Sequence, residues 1–564
     1  MKRIYTIFSL FAISMCLLAQ SDKTDYRSPL DIPILLSANF GELRANHFHS
    51  GIDLKTEGVI NKPVYSIEDG YISRIAVSPS GYGLAIYVSH PTTGHMSVYA
   101  HIERYAPKIA AYVKERQNKL ERFKVDLYPD KSLFPLKKGD LIAYSGNTGS
   151  SGGPHVHFEI RDLNTGLTLD PLVYYKDRIQ DTLSPELKGI ALYGIDQQGV
   201  VNDNASIYYP IRKHKDGGYA TIPNTSAWGR IGLGVYSTDR MNETTNIYGV
   251  KLVRLYCDDE LIFQSDIETV NFGTTRMINS MIDYDYWSRK KDFYMKSFIE
   301  PGNKLPFYKA KNNGYVNIDE EKEYNFRYEL EDLYGNITEY GFKVTGKQTE
   351  INTQQTCSQY MVWDGDKHYI NESFSLIIPK NNLYKDICFS LAQDSLSPYF
   401  TDIYAVNSSY IPLDGYCDMK IRLTADSMEN KSQYGIIKIN GQRVSWVGGT
   451  YKDGAVIGRI RELGHTYSVG SDTKAPSIAP LNAEKWATNK AIKIRLTDDL
   501  SGVASFRGTI DGKFVLFEHD VKSTVYTYTF DDTRLTKNGT THKFSFVAKD
   551  GCGNTANYEF EFVY

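Results

Sequence analysis

Three segments in the first third of this 564-residue chain alternate apolar residues with histidine or aspartate. Because successive side chains of a β-strand point to opposite faces, each segment is predicted to be a strand with one apolar and one polar face. The predicted polar faces carry His49, Gly51 and Asp53; His95, Ser97, Tyr99 and His101; and His155, His157 and Glu159. The predicted apolar faces carry Phe48, Ile52 and Leu54; Met96, Val98 and Ala100; and Val156, Phe158 and Ile160. The pattern favours a β-fold that gathers the polar residues on one side.

Further short alternating stretches, separated by Gly, Pro and Asp turns, continue through residues 21–180. They predict strands at Val64–Ile67, Tyr71–Ser78, Leu84–Ser89, Met96–His101, Leu141–Ser145 and His155–Arg161. Residues 106–123 differ, because their apolar spacing and composition are helical, so we expect an inserted helix there. The chain also holds 43 Tyr and many Gly, Asn and Asp turn residues. The predicted fold class is all-β.

The bulk composition excludes some partners. A chain of 564 residues should form roughly three to five domains. Lys and Arg number 64 against 67 Asp and Glu, which gives a net charge of -3. A net charge so close to zero does not suggest a polybasic surface, although a local patch could hide in the average, so we expect no nucleic-acid partner.

Residues 1–20 are predicted to be a signal peptide. Lys2 and Arg3 form a charged start, residues 4–18 an apolar core and residues 17–19 a small-residue cleavage site. A short membrane anchor and a lipid-modified Cys16 are the alternatives, although Met15 is bulkier than such lipid processing favours. No later segment has the roughly 20 apolar residues that cross a bilayer. We therefore expect an exported protein of the periplasm or cell envelope, or a secreted one.

An internal repeat organises the rest of the chain. Each copy opens on Asp-Thr-x-x-Pro, continues to a Thr-Asp pair and ends on Asp-x-x-Gly-Asn before an alternating strand. The landmarks are residues 181–185, 238–239 and 332–336 in one copy, and 472–476, 497–498 and 550–554 in the other. We predict β-sandwiches at 181–347, enlarged by insertions, and at 472–564; they resemble bacterial immunoglobulin-like modules.

Residues 348–471 are predicted to form another all-β unit, of unknown role. Its clearest hairpin surrounds Asn440-Gly441, a pair that favours a type I′ turn. Five cysteines remain after the signal peptide, without the tight spacing of zinc-ligand pairs. Cys388 and Cys417 are a candidate disulfide, and most of the others are expected to be buried thiols.

The polar faces of the first unit provide the ligands of a hydrolytic metal site. Histidine nitrogens and an aspartate oxygen form an N,N,O set, and two imidazoles remain for proton transfer. A lone histidine is more often structural, and His90 and His95 are assigned to that class. An H-x-H or H-x-x-x-D motif alone is also weak. Their occurrence together within about 110 residues, beside a Gly-rich approach to His155, favours a metal site.

Residues from about 37 to 172 closely resemble the lysostaphin/LytM-type zinc endopeptidases, which cut peptides in bacterial cell walls. The matching motifs are His49-x-x-x-Asp53, Tyr99-Ala-His101, the glycine-rich segment 145–150 and the segment 153–159. The resemblance implies an antiparallel β-sheet of the barrel-sandwich-hybrid type. It also implies that His49, Asp53 and His157 bind Zn²⁺, and that His155 and His101 are catalytic. His47 also precedes the motif, but only His49 has the family spacing to Asp53.

The resemblance implies a function as well. We expect an exported zinc metalloendopeptidase that hydrolyses a stem or cross-bridge peptide bond of peptidoglycan. His101 and His155 would divide proton transfer and oxyanion stabilisation, in an order that the sequence leaves open. One alternative is a non-catalytic regulator of other wall hydrolases. Another is a surface binding protein or adhesin that acts through its sandwiches, which are also candidates for binding an envelope protein.

Overall fold

The structure is a computed structural model that describes residues 25–351, 357, 359–531 and 534–564. The predicted signal peptide at 1–20 lies outside these residues. The prediction of an all-β chain is confirmed, since strands dominate all four predicted units and helices are few and short. Within the described residues, no helix has the length and apolarity that crossing a membrane requires.

The first unit is built on one large antiparallel sheet. It holds every predicted site residue except His49, which lies in a loop. Neighbouring strands run in the order Leu36–Ala38, Ile52–Lys55, His155–Asp162, His95–Ile102, Leu84–His90, Gly70–Val77 and Val125–Leu127. The other strands of this unit are Leu43–Arg44, His47–Phe48, Pro63–Tyr65, Arg104–Tyr105, Pro135–Leu136, Leu141–Tyr144 and Thr168–Leu169. The six strands predicted with bounds therefore match observed strands, with end shifts of one or two residues. The alternating segment around His49 and Asp53 is a strand only at His47–Phe48 and Ile52–Lys55, and His49 lies in the loop between them.

The predicted inserted helix is Pro107–Leu120. Proline at its first position is compatible with a helix start, because the N–H that proline lacks would have no partner there. Ile109, Val113 and Gln117 recur every four residues and form its buried face. The helix ends at Leu120, and the following residue, Glu121, caps it in a left-handed conformation with a φ of 49°. Two short helical segments, Leu172–Tyr175 and Lys176–Arg178, close the unit.

The second unit pairs directly with the first. Thr168–Leu169 forms an antiparallel pair with Thr269–Val270, and one hydrophobic core continues across the junction. Its strands are Glu186–Val201, Ser206–Pro210, Ser226–Thr238, Leu252–Cys257, Glu260–Asp266, Thr269–Val270, Met295–Lys296, Tyr308–Ala310, Val316–Ile318, Glu323–Glu331 and Ile337–Gly346. Its helical segments are Thr275–Met277, Ile278–Met281, Tyr284–Lys290 and Asn312–Gly314. The shared core makes the two units one structural body.

The third unit has its own core. Its strands are Gln359–Met361, Lys367–Ile370, Phe374–Ile378, Ile387–Phe389, Leu391–Asp394, Ile403–Arg422, Tyr434–Asn440, Arg443–Gly448, Thr450–Lys452 and Ala455–Ser471, with a helical turn at Lys431–Gln433. The predicted turn is displaced by one residue. Asn440 pairs with Arg443, so Gly441 and Gln442 form the turn, and Gly441 has a φ of 58°. A glycine with positive φ at the first central position fits type II′ rather than the predicted type I′.

The candidate Cys388–Cys417 disulfide is wrong. Cys388 is bonded to Cys357 instead, with a Cα–Cα distance of 5.2 Å. Cys388 lies on a strand that pairs with Gln359–Met361, which brings the adjacent Cys357 close. Cys417 is buried in the core of the same unit as a free thiol, and Cys552 is also a buried free thiol, as expected of most cysteines. Cys257 is free but only partly buried.

The fourth unit consists of two sheets around one core. One sheet holds Ser477–Pro480, Ala491–Thr497 and Val525–Thr529, and the other Val503–Ile510, Lys513–Val515, Thr541–Asp550 and Thr555–Val563. Two short helical segments, Ala483–Lys485 and Trp486–Asn489, precede the second strand. Inward residues of both sheets meet in this core, as in a β-sandwich. The unit also contacts the first unit, where Lys114 Nζ lies 2.9 Å from Asp531 Oδ2.

Candidate metal centre

Two adjacent strands place Asp53 and His157 side by side. In the antiparallel pair of Ile52–Lys55 with His155–Asp162, Asp53 is the direct partner of His157. The apolar neighbours Ile52 and Phe158 also pair and are fully buried on the opposite face, as the alternation predicts. His49 precedes the first strand. Between His49 and Asp53, a Cβ on Gly51 would lie 2.3 Å from the carbonyl oxygen of Phe158, so only glycine fits this close approach.

Three acceptor atoms converge at this point. His49 Nε2 lies 3.1 Å from Asp53 Oδ1 and 3.0 Å from His157 Nδ1, and His157 Nδ1 lies 2.9 Å from Asp53 Oδ1. All three side chains are buried, and they form one of the groups in the described residues that could hold a metal ion.

The opposite nitrogen of each imidazole is occupied by a hydrogen bond. His49 Nδ1 donates to the carbonyl oxygen of Asn39 at 2.6 Å, and His157 Nε2 donates to Glu159 Oε1 at 2.8 Å. Because these acceptors hold one proton of each ring, the inner nitrogens can present their lone pairs to a cation beside Asp53. Such outer hydrogen bonds fix the tautomer and orientation of metal-binding histidines. The residues therefore fit a cation in their centre.

Glu159 is a fully buried carboxylate that several donors hold in place. Its Oε1 accepts from His157, from Ser50 at 2.6 Å and from the hydroxyl of Tyr82, and its Oε2 accepts from Arg161 Nε at 2.6 Å. The Tyr82 ring also stacks on the His157 ring, with centroids 5.1 Å apart. Sequence alternation placed Glu159 on this face. It gave no signal for Tyr82, which reaches the site from a turn.

The carboxylates of Asp53 and Glu159 favour a positive charge among these side chains. Burial alone would lower the pKa of His157, but its hydrogen bonds to Asp53 and Glu159 outweigh burial and raise this pKa to about 9. Burial would likewise raise the pKa of Glu159, but the hydrogen bond from His157 and the charge of Arg161 lower it to about 2. In Asp53, the neighbouring histidines overcome burial and hold the pKa well below its usual value.

His101 reaches the site in a way that the alternation did not predict. Tyr99 pairs with Phe158 and points into the main core, and Ala100 pairs with His157 on the site face. Strict alternation would therefore direct His101 into the core, so the predicted shared face of Tyr99 and His101 is wrong. A β-bulge interrupts the pairing between Leu84–His90 and His95–Ile102, and His101 adopts a φ of 57°. A bulge of this kind re-aims a side chain.

His101 and His155 lie together beside the three acceptors. Their ring centroids are 4.8 Å apart, and His155 Nε2 lies 3.5 Å from Asp53 Oδ1. His101 Nδ1 donates to the carbonyl oxygen of Thr148 at 2.8 Å, and His155 Nδ1 donates to that of Gly153 at 2.8 Å. Both rings therefore keep the lone pair on Nε2. Burial, followed by the charges of His157 and His155, lowers the pKa of His101 to about 3, so His101 is neutral at neutral pH.

The other nearby histidines have structural partners. His90 bonds to the Asp69 carbonyl and to Ser97 Oγ, and His95 Nδ1 lies 2.6 Å from the Tyr26 hydroxyl. His47 is exposed and donates to the Ala45 carbonyl at 2.9 Å. A positively charged side chain that the sequence analysis did not identify, that of Arg44, also lies at the edge of the site. Arg44 Nη2 lies 3.3 Å from Asp53 Oδ2, the oxygen that faces away from the histidines.

The fourth unit contacts the glycine-rich edge of the site. Gly149 N donates to Asp520 Oδ2 at 2.8 Å, and Lys522 Nζ donates to the Gly149 carbonyl at 2.8 Å. Val521 N donates to the Pro79 carbonyl at 2.8 Å on the neighbouring turn. Since Thr148 accepts from His101, this loop of the fourth unit supports the backbone that orients one of the two free imidazoles.

The fold and the site define the class of the first unit: an antiparallel β-domain with an N,N,O group that could hold a metal ion and two further histidines. The predicted resemblance to lysostaphin/LytM-type metallopeptidases is confirmed by comparison with known proteins, over part of the chain. The third unit matches a further family, described as the Zu5-like domain, over residues 358–472.

The individual relatives that resemble metallopeptidases match only about a quarter of this chain or less. An uncharacterized metalloprotease of Haemophilus influenzae is 30% identical over 124 residues, which are 22% of this chain and 20% of that protein. Lysostaphin of Staphylococcus staphylolyticus is 27% identical over 130 residues, or 23% of this chain and 22% of that protein. The catalytic domain of lysostaphin from Staphylococcus simulans is a similar solved structure, with 23% identity, a TM-score of 0.19 and coverage of 25% of this chain and 92% of that one. The chain spans about a fifth of the length of the curated relatives it matches.

Proposed function

We propose that the chain is an exported zinc-dependent endopeptidase that hydrolyses peptide bonds of peptidoglycan, in a stem or a cross-bridge. The observation that carries the proposal is the convergence of His49 Nε2, Asp53 Oδ1 and His157 Nδ1 within 2.9–3.1 Å of one another. Two imidazoles and one carboxylate are a ligand set of catalytic zinc sites, which keep a further position for water or substrate. The similarity to lysostaphin supports the cell-wall substrate class.

Zinc bound by these residues would polarise the scissile carbonyl and lower the pKa of a water from about 15.7 toward roughly 7. His101 and His155 supply the proton transfers. Each ring has its Nδ1 proton held by a backbone carbonyl, so its Nε2 is free to accept a proton from water and return it to the leaving amine. The second ring stabilises the developing oxyanion once its Nε2 also carries a proton.

The structure of the outer shell supports a working metal site. The buried Glu159 carboxylate orients His157, and the carbonyl of Asn39, which directly follows the strand Leu36–Ala38, orients His49. A non-catalytic regulator needs neither a set of three converging acceptors nor two further histidines beside it. The presence of all five residues in one place therefore favours the enzyme over that alternative.

The experiment uses the full chain, because the first and second units share a core. Zinc-loaded protein is incubated with purified sacculi, and the new peptide ends are identified by mass spectrometry. We expect new free amino and carboxyl ends at one kind of peptide bond. Asp53→Ala should release none, whereas His214→Ala, a change at an exposed histidine of the second unit, should match the wild type. Intact sacculi after incubation with zinc-loaded wild type would contradict the proposal.

A further inference from the structure

Three aspartates of the second unit meet at the ends of separate chain segments. Asp181 precedes the strand Glu186–Val201, Asp239 directly follows Ser226–Thr238, and Asp332 directly follows Glu323–Glu331. One carboxylate oxygen from each lies within 4.8 Å of the others. These residues are landmarks of the internal repeat, and the metal centre of the first unit does not involve them.

Two of these carboxylates are buried with an oxygen that accepts no hydrogen bond. Asp239 is 2% exposed and its Oδ1 has no partner; Asp181 is 8% exposed and its Oδ2 has none. The third, Asp332, is oriented by three donors: the backbone N–H of Tyr334 and of Asn336, and the Asn336 side-chain amide. Burial of a carboxylate oxygen without a partner is unfavourable, so a ligand in the centre would supply what the protein does not.

No positive charge of the described chain balances the cluster. None of the three forms a salt bridge with a described lysine or arginine, and the charges that act on Asp239 are those of Asp332 and Asp181. Burial, together with these two neighbours, raises the pKa of Asp239 to about 8. Buried carboxylates in proteins are usually paired with a basic group or coordinate a metal, and this cluster has no salt bridge to a described lysine or arginine.

We propose that Asp181, Asp239 and Asp332 bind one hard divalent cation of the Ca²⁺ type. The donors are all oxygen, with no imidazole or thiolate, which disfavours zinc and suits Ca²⁺ or Mg²⁺. Ca²⁺ accepts flexible geometry and carboxylates that bind through one or both oxygens, so it matches a cluster formed by three separate segments. Asp181 lies where the first unit ends, so the cation fixes the path of the chain into the second unit.

The repeat provides an internal comparison. In the fourth unit, Asp550 and Asn554 reproduce the hydrogen bonds of Asp332 and Asn336. Asp472, however, has both carboxylate oxygens occupied: Oδ1 accepts from Lys474 N at 3.2 Å and Oδ2 from Ser501 N at 2.9 Å. Asp181 uses only Oδ1, which accepts from Leu183 N at 3.1 Å. The fourth unit also has an acidic group, Asp472, Asp498 and Asp499, in which Asp498 Oδ1 accepts no hydrogen bond. Asp499 is exposed, however, and Lys474 Nζ lies 2.8 Å from its Oδ2, so this group has a basic partner. We therefore expect one cation per chain, in the second unit.

The test is calorimetric titration of Ca²⁺, and separately of Mg²⁺, into full-length protein whose histidine site holds one equivalent of zinc. We expect one saturable Ca²⁺ site with a Kd at or below about 1 mM, the range of extracellular calcium modules. Asp239→Asn should lose this site. Asp498→Asn, the equivalent change in the fourth unit, should keep it. Zinc content should be the same in all three proteins.

Thermal unfolding gives a second readout that also reports folding of the variants. Ca²⁺ should raise the unfolding midpoint of the wild type and of Asp498→Asn but not of Asp239→Asn, because a ligand that binds only the native state stabilises it. If Asp239→Asn does not fold, Asp181→Asn takes its place. Absence of both Ca²⁺ and Mg²⁺ binding in the wild type, or retention of the site in a folded Asp239→Asn or Asp181→Asn, would overturn the proposal.

Discussion

The Nδ1 nitrogen of His49 lies 2.6 Å from the carbonyl oxygen of Asn39. The Asn39 side chain is in turn held by the second unit, since its amide donates to the Gly249 carbonyl at 2.8 Å and its oxygen accepts from Gly249 N at 2.9 Å. The second unit therefore fixes the position of the group that orients a proposed metal ligand.

Asn39→Ala keeps the backbone carbonyl that accepts from His49 but loses the side-chain contacts that hold it in place, so we expect zinc affinity to fall by about 10-fold, the lower end of the effect of losing an outer partner. The measurement is competition with a zinc chelator of known affinity. Asn246→Ala is the matched control, because Asn246 also makes a hydrogen bond between the two units, to the Ser37 carbonyl, without touching the site. Equal zinc affinities of Asn39→Ala and wild type would show that Asn39 does not position His49.

Glu159→Gln tests the other outer partner. Glutamine keeps the size of the side chain but removes the charge, so His157 loses its ionic acceptor and Arg161 loses its counterion. We expect zinc affinity to fall by roughly 10–100-fold. Asp126→Asn, which removes a carboxylate from an ion pair with Arg74 on the same sheet, should leave zinc affinity unchanged.

The two free imidazoles should matter for turnover rather than for metal binding. We expect His155→Ala to retain zinc and to lose about 10²–10⁴-fold in turnover, the usual contribution of a proton-transfer group. His101→Asn is the better variant at the bulge, because asparagine tolerates positive φ more readily than alanine. It should also retain zinc and lose turnover. A wall-lysis rate close to that of wild type in either variant would remove that residue from the mechanism.

The loop of the fourth unit that touches Gly149 should affect catalysis from outside the first unit. Asp520→Ala with Lys522→Ala releases the backbone that holds His101, and a displacement of a catalytic group by about 1 Å can cost up to about 10²-fold in rate. We expect a lower kcat with unchanged zinc content. Lys114→Ala removes another contact between the same two units, to Asp531, and should leave kcat unchanged. Equal kcat in the double variant would rule out this support.

Acid should loosen the contact between the second and third units. Burial alone would raise the pKa of Glu462, but hydrogen bonds from His465 and from Tyr284 of the second unit lower it to about 2. Because this pKa lies below its ordinary value of 4.5, the contact is fully formed above about pH 4.5 and is lost as the pH falls toward 2. In Glu462→Gln, the unfolding midpoint should depend less on pH in this window. The same slope in variant and wild type would contradict the assignment.

Strict periodicity explains which parts of the site could be predicted. His157, Glu159 and Asp53 follow regular strand alternation, and the sequence placed them together. His101 does not, because a single inserted residue reverses its side, and nothing in Tyr99-Ala-His101 marks the bulge. Tyr82 was missed for a similar reason, since it acts from a turn rather than from a patterned strand.

The long-range contacts could not be predicted from the sequence for a different reason. The Cys357–Cys388 bond depends on which strands pair, and cysteine spacing does not determine strand pairing. The contacts of Asn39 with Gly249 and of Asp520 with Gly149 join residues more than 200 positions apart. Neither residue of such a contact lies in a local sequence pattern that identifies its partner. The repeat was visible as spacing, but only the fold showed that its aspartates converge.

The central claim is that His49, Asp53 and His157 hold a metal ion together. The most direct measurement is the zinc content of purified wild type and Asp53→Ala by elemental analysis, with circular dichroism to verify that both are folded. The wild type should hold one equivalent of zinc per chain, and the variant none. A full equivalent of zinc in folded Asp53→Ala would contradict it.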